Sequence, residues 1–136
     1  MSINHWIVKN LVCTLFLVVG GLNIYAQKDK YLIEAEAFQF KGKWSTDRSA
    51  DCMGSAMLRL NGGGSLDEQF DALTVVNIME EGDYNVWVRS ADYDKLPGTR
   101  LFRLSVDEKP MKESGKHGKV GFYWENAGCV QLAKKQ

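Results

Sequence analysis

Apolar and polar residues alternate over short stretches along most of this chain, the period of half-buried β-strands. Over residues 31–38, Ile33, Ala35 and Ala37 share one face of an extended segment and Glu34 and Glu36 share the other. Residues 56–60 predict a second strand, stopped by Asn61-Gly62-Gly63-Gly64-Ser65. The β-branched run 73–78 predicts a third. A turn at Glu80-Glu81-Gly82-Asp83 and the alternating stretch 84–89 follow, so the two runs read as a hairpin. Residues 101–106 alternate again, with Asp107-Glu108-Lys109-Pro110 as their turn. Strands at 120–124 and 129–132, separated by Asn126-Ala127-Gly128, complete the set.

No segment sustains a 3.6-residue period with caps. Short strands with regular turn signals predict an all-β chain, an antiparallel β-sandwich or barrel. The stretches 39–55, 62–72, 91–99 and 113–119 are its loops, at the sheet ends where binding sites are built. Val130-Gln131-Leu132 followed by Ala133-Lys134-Lys135-Gln136 reads as a strand and a turn with nothing to pair, an exposed edge.

The start of the chain follows another pattern. Lys9 is the one fixed charge of the first ten residues, residues 11–25 are uncharged, and Ala26 precedes the polar run Gln27-Lys28-Asp29-Lys30. Positive, apolar, small and polar, in that order, is a secretory signal peptide. The apolar run is shorter than the roughly 20 residues a spanning helix needs. The expected organisation is therefore a signal at 1–26 and one β-domain at 27–136, secreted, periplasmic or at the cell surface and off the membrane after processing.

Composition narrows the function. The whole chain has 17 Lys+Arg and 17 Asp+Glu, which lacks the basic footprint of a nucleic-acid binder. After processing, Cys52 and Cys129 are the remaining cysteines; an exported protein can oxidise them, and the sequence leaves their pairing open. His117 is the sole histidine outside the leader and lies in the polar run Ser114-Gly115-Lys116-His117-Gly118-Lys119, so it reads as a solvated loop residue rather than a general base. Asp67, Glu68 and Asp71 form no pattern that selects an acid and a base. A non-catalytic chain is expected.

Two features point to binding. In a strand, Glu34 and Glu36 place two carboxylates on one face, where their repulsion is relieved either by solvent or by a hard cation with oxygen ligands such as calcium. Aromatic residues cluster in or beside loops: Trp44, Tyr93, Phe122, Tyr123 and Trp124. Their flat faces suit sugar rings, with Asn61, Asp92, Asp94 and Arg100 as polar neighbours; alternatively Trp44 and Trp124 plug the ends of the core.

Tyr31-Leu32-Ile33-Glu34-Ala35-Glu36 resembles the opening strand of the calcium-containing β-sandwich carbohydrate-binding modules of families six and thirty-five. Glu81-Gly82-Asp83-Tyr84-Asn85-Val86-Trp87-Val88-Arg89 resembles their central strand, and Gly128-Cys129-Val130-Gln131-Leu132 the strand before their last hairpin. Together with residues 54–58, 97–100 and 121–125, these motifs are also similar to a module attached to exported bacterial FAD-dependent oxidoreductase-like and polysaccharide-processing proteins. The resemblance implies a jelly roll of galactose-binding type. It implies a structural calcium at Glu34 and Glu36 and a polysaccharide or glycan ligand; the loop residues expected to contact that ligand are Trp44, Tyr93, Trp124 and Arg100. The family's final strand, whose closing Asp completes the calcium site, has no counterpart here, so the chain is expected to lack its last strand. The rival expectations are an accessory fragment of a larger exported enzyme, packed on a catalytic domain absent from this chain, and a protein-interaction module.

Overall fold

The structure, a computed structural model, describes residues 5–9, 14–19, 30–48, 52, 56–62 and 67–134, the first two segments as backbone strands. It is an all-β chain. The strands are β1 (His5–Lys9), β2 (Thr14–Val19), β3 (Lys30–Glu34), β4 (Ser45–Asp47), β5 (Met57–Arg59), β6 (Asp71–Val75), β7 (Gly82–Ala91), β8 (Arg103–Val106), β9 (Lys109–Pro110) and β10 (Phe122–Leu132). One four-stranded sheet runs β6-β1-β8-β9, a second runs β10-β7-β2-β3, and β4 pairs with β5 in a two-stranded ribbon. Single 3₁₀ turns cover Ala35–Ala37 and Glu68–Phe70.

One apolar cluster draws on all three sheets. Tyr84, Val86 and Val88 of β7 are fully buried and pack with Leu104 and Val106 of β8, Ala72 of β6, Leu58 of β5, and Val130 and Leu132 of β10. From Tyr84 to the end of β7 every second residue is buried and the others are part-buried, as the alternation predicts. Burial of each Val or Leu side chain contributes roughly 1.5–3 kcal/mol. Tyr84 reaches full burial because its hydroxyl donates to the Glu80 carbonyl at 2.6 Å.

Several sequence expectations change. The strand beginning at Tyr31 stops at Glu34, and Glu36 lies in the 3₁₀ turn, so the two glutamates are not same-face neighbours of one strand. Residues 71–75 and 82–91 do not form a hairpin: β6 pairs with β1 in one sheet, and β7 lies between β10 and β2 in the other. Asn126-Ala127-Gly128 is a β-bulge inside one long strand rather than a turn between two. Gly128 adopts φ 124°. The Asn126 side-chain oxygen accepts its N–H at 2.8 Å, and the buried Ala127 offers its carbonyl to the Lys112 N–H at 2.9 Å. Val130-Gln131-Leu132 is not unpaired, since it faces Tyr84, Asp83 and Gly82 of β7, although β10 remains an edge strand. Asp107 and Glu108 do turn the chain, at φ 49° and 63°, bringing Lys109–Pro110 back onto β8. Cys52 and Cys129 are not joined by a disulfide.

The segment that reads as a leader supplies β1 and β2. Each stands inside a four-stranded sheet, β1 between β6 and β8 and β2 between β3 and β7.

Candidate functional site

The C-terminal end of β7 and the N-terminal end of β10 carry two loops, 92–100 and 113–121, that meet on one buried carboxylate. Asp92, 4% exposed, immediately follows β7. Its Oδ1 accepts the backbone N–H of Tyr93 at 2.7 Å and of Arg100 at 3.3 Å. Its Oδ2 accepts those of Gly98 at 2.6 Å and Gly118 at 2.8 Å. Burial pushes the Asp92 carboxyl up, but these four backbone donors together outweigh it and hold the group below the ordinary carboxylate range. Gly98 and Gly118 sit at φ 83° and 72°, a region glycine enters without steric penalty.

A second carboxylate braces the other loop. Glu125 Oε2 accepts from the Ser90 hydroxyl and from the Gly115 N–H, both at 2.9 Å. His117, expected to be solvated, is instead part-buried and bonded: Nδ1 accepts the Lys119 N–H at 3.1 Å. The ring proton therefore sits on Nε2, 3.1 Å from the Ser90 carbonyl, which accepts it.

Three exposed rings lie at this end, two of them beside a cation. Tyr93 is 37% exposed, with the Arg100 guanidinium 5.1 Å from its ring centre. Tyr123 is 40% exposed, flanked by the His117 ring at 5.2 Å and by Lys119 Nζ at 4.7 Å. Trp124, also 40% exposed, lies opposite Arg89, whose guanidinium covers the Phe122 ring at 4.5 Å. Cross-strand partners share a face, so Tyr123 sides with Ser90 and Trp124 with Arg89, on opposite faces of the sheet.

Of the four residues expected to hold sugar, the structure brings Tyr93 and Arg100 together and presents Trp124 on the neighbouring strand. Trp44 is elsewhere: it is 5% exposed, belongs to the core cluster, and donates its indole N–H to the Phe70 carbonyl at 2.7 Å. Its ring has no face to offer a ligand in this fold, which corrects its place in the expected platform. Tyr123, His117 and Lys119 join the site instead; the run 113–119 looks featureless in sequence because its order comes from Asp92, Ser90 and Glu125, which are remote along the chain.

The two glutamates remain near one another despite the 3₁₀ turn. Burial pushes the Glu36 carboxyl up; its own backbone N–H pulls it back, the Glu34 carboxylate raises it again, and Lys41 lowers it, for a net rise. Among the described residues, Glu36 Oε2 is buried without a hydrogen-bond partner. Among the described residues, no three or more His, Cys, Asp or Glu side chains converge as a metal-ligand group. Nor, among them, is any helix long and apolar enough to cross a membrane. Compared with known proteins, the chain matches no family model, no curated protein and no solved structure.

Proposed function

We propose that this chain is an exported, non-catalytic carbohydrate-binding module built as a β-sandwich of jelly-roll type, and that a polysaccharide or glycan binds at the loop end of β7 and β10. The observation that carries the reading is the set of exposed rings at one end of the sheet: Tyr93 in the loop locked by the buried Asp92, and Tyr123 and Trp124 at the start of β10. Flat rings stack on the apolar faces of sugars, and Arg100 and Lys119 are placed to donate to hydroxyls. A rigid framework lowers the ordering cost of binding. The carboxylates at this end are engaged with backbone and serine donors, which supports binding over acid–base chemistry. A glycan array probed with the folded chain tests the assignment: selective retention of one class of polysaccharide is expected, and uniform absence of binding contradicts it.

Calcium at Glu34 and Glu36 belongs to the same proposal. The orphaned Glu36 oxygen and the repulsion from Glu34 are what a hard cation relieves, with backbone carbonyls or water as further ligands. Calcium at a hundredfold excess over its Kd is expected to stabilise the fold by about 2.7 kcal/mol. Glu36→Gln is expected to abolish the difference between melting in calcium and in chelator. The pH dependence has a definite sign. With its folded carboxyl raised, Glu36 makes the metal-free protein more stable as pH falls through that raised value. Calcium and the proton compete for the same oxygen, so the calcium increment shrinks over that window. Thermal melts with calcium and with chelator at several pH values check both; superimposable curves contradict the site.

A further inference from the structure

The slot between β3 and β7 has a defined specificity. β2 runs antiparallel to both neighbours, with Leu15 at the register position between Ile33 and Val88 and Leu17 between Tyr31 and Val86. Val86 and Val88 are fully buried, and Tyr31 and Ile33 pack against the core. These positions therefore call for apolar residues at every second place. The intervening positions are less demanding: Val18 lies between Lys30 and Asn85, and Thr14 between Glu34 and Arg89. Thr14-Leu15-Phe16-Leu17-Val18-Val19 meets the pattern. The same six residues lie inside the run that reads as a removable leader, and they cannot both be removed and fill the sheet. Without them β3 and β7 face each other across an empty strand position, and two rows of backbone N–H and C=O groups lose their partners.

We infer that the β3–β7 slot is a strand-acceptor site whose occupant is the chain's own Thr14–Val19 segment, held by register-specific pairing that survives loss of the covalent link. Binding there is β-strand addition: main-chain hydrogen bonds supply attraction, and the alternate pockets beside Val86 and Val88 supply selectivity. Cleavage of the link between β2 and β3 therefore leaves the acceptor occupied by this segment.

The test uses the full chain with a site-specific protease sequence inserted after Ala26, cut after folding. The 1–26 piece is expected to co-elute with the remainder on size exclusion in dilute buffer and to separate only in denaturing urea. Elution of the wild-type piece apart from the remainder in native buffer overturns the proposal, whatever the state of the remainder. Two variants test the register. Leu17→Asp, at the register position between Tyr31 and Val86, is expected to lose the piece on cutting, and Val18→Asp, at the position between Lys30 and Asn85, to retain it. Equal behaviour of the two variants also overturns the proposal, because it would mark the association as unspecific adhesion of an apolar peptide. If Leu17→Asp fails to fold before cutting, the wild-type arm still decides.

Discussion

Asp92→Asn is expected to destabilise the chain nearly as much as Asp92→Ala, by about 3 kcal/mol, or roughly 10 °C in melting temperature for a domain of this size. The carboxylate takes four backbone donors, and hydrogen bonds to a charged acceptor are worth about 1.5–3 kcal/mol each when buried. The sum is smaller than four such bonds, because Tyr93, Gly98 and Gly118 are exposed residues whose N–H groups regain water. Asparagine keeps the volume and one accepting oxygen. Its amide then turns two donors toward N–H groups that need an acceptor, either Gly98 and Gly118 or Tyr93 and Arg100. A lowered carboxyl also gives the pH sign: the contribution is complete above the unfolded-state value and lost as pH falls through the folded one, so the wild-type advantage over Asp92→Asn vanishes in acid. Urea melts of both proteins at neutral and acidic pH check this. A neutral-pH difference below about 0.5 kcal/mol, the usual spread of surface substitutions, contradicts it.

Trp44→Ala is expected to cost about 3–5 kcal/mol of stability while leaving the glycan affinity of the folded fraction unchanged. The ring is enclosed and its N–H satisfies the Phe70 carbonyl, so truncation leaves both a cavity and an orphaned acceptor. Trp44→Phe separates the two effects, retaining most of the volume and losing about 1 kcal/mol for the hydrogen bond. Chemical denaturation beside affinity electrophoresis gives both readouts. A Trp44→Ala protein of wild-type stability that no longer binds glycan would return Trp44 to the platform.

These residues show which features are local in the sequence and which are not. The alternation of Tyr84, Val86 and Val88 announces β7 because each side chain answers to the same buried face. The turn at Asp107 and Glu108 is likewise legible, since its chemistry lies within four residues. Strand partnership is not local: residues 73–78 and 84–89 look like a hairpin because turn residues separate them, yet the chain passes there from one sheet to the other. Asn126-Ala127-Gly128 carries the same residue types as a turn, and only pairing with Val86 and Trp87 on either side makes it a bulge. The leader-like run has the apolar content of a signal and of a central strand alike. At the candidate site, the aromatic residues stand out in the sequence, but the burial of Trp44 depends on Phe70, and the order of His117 on Ser90, contacts made far along the chain.

Sugar binding at the loop end is proposed to rest on the exposed rings of Tyr93 and Trp124. The most direct measurement is the affinity of Trp124→Ala and Tyr93→Ala for the glycan selected on the array, with circular dichroism recorded on the same samples. Both substitutions remove exposed rings, so native spectra are expected with binding at least about tenfold weaker in each, equivalent to about 1.4 kcal/mol. Native spectra with unchanged affinity in both variants would contradict it.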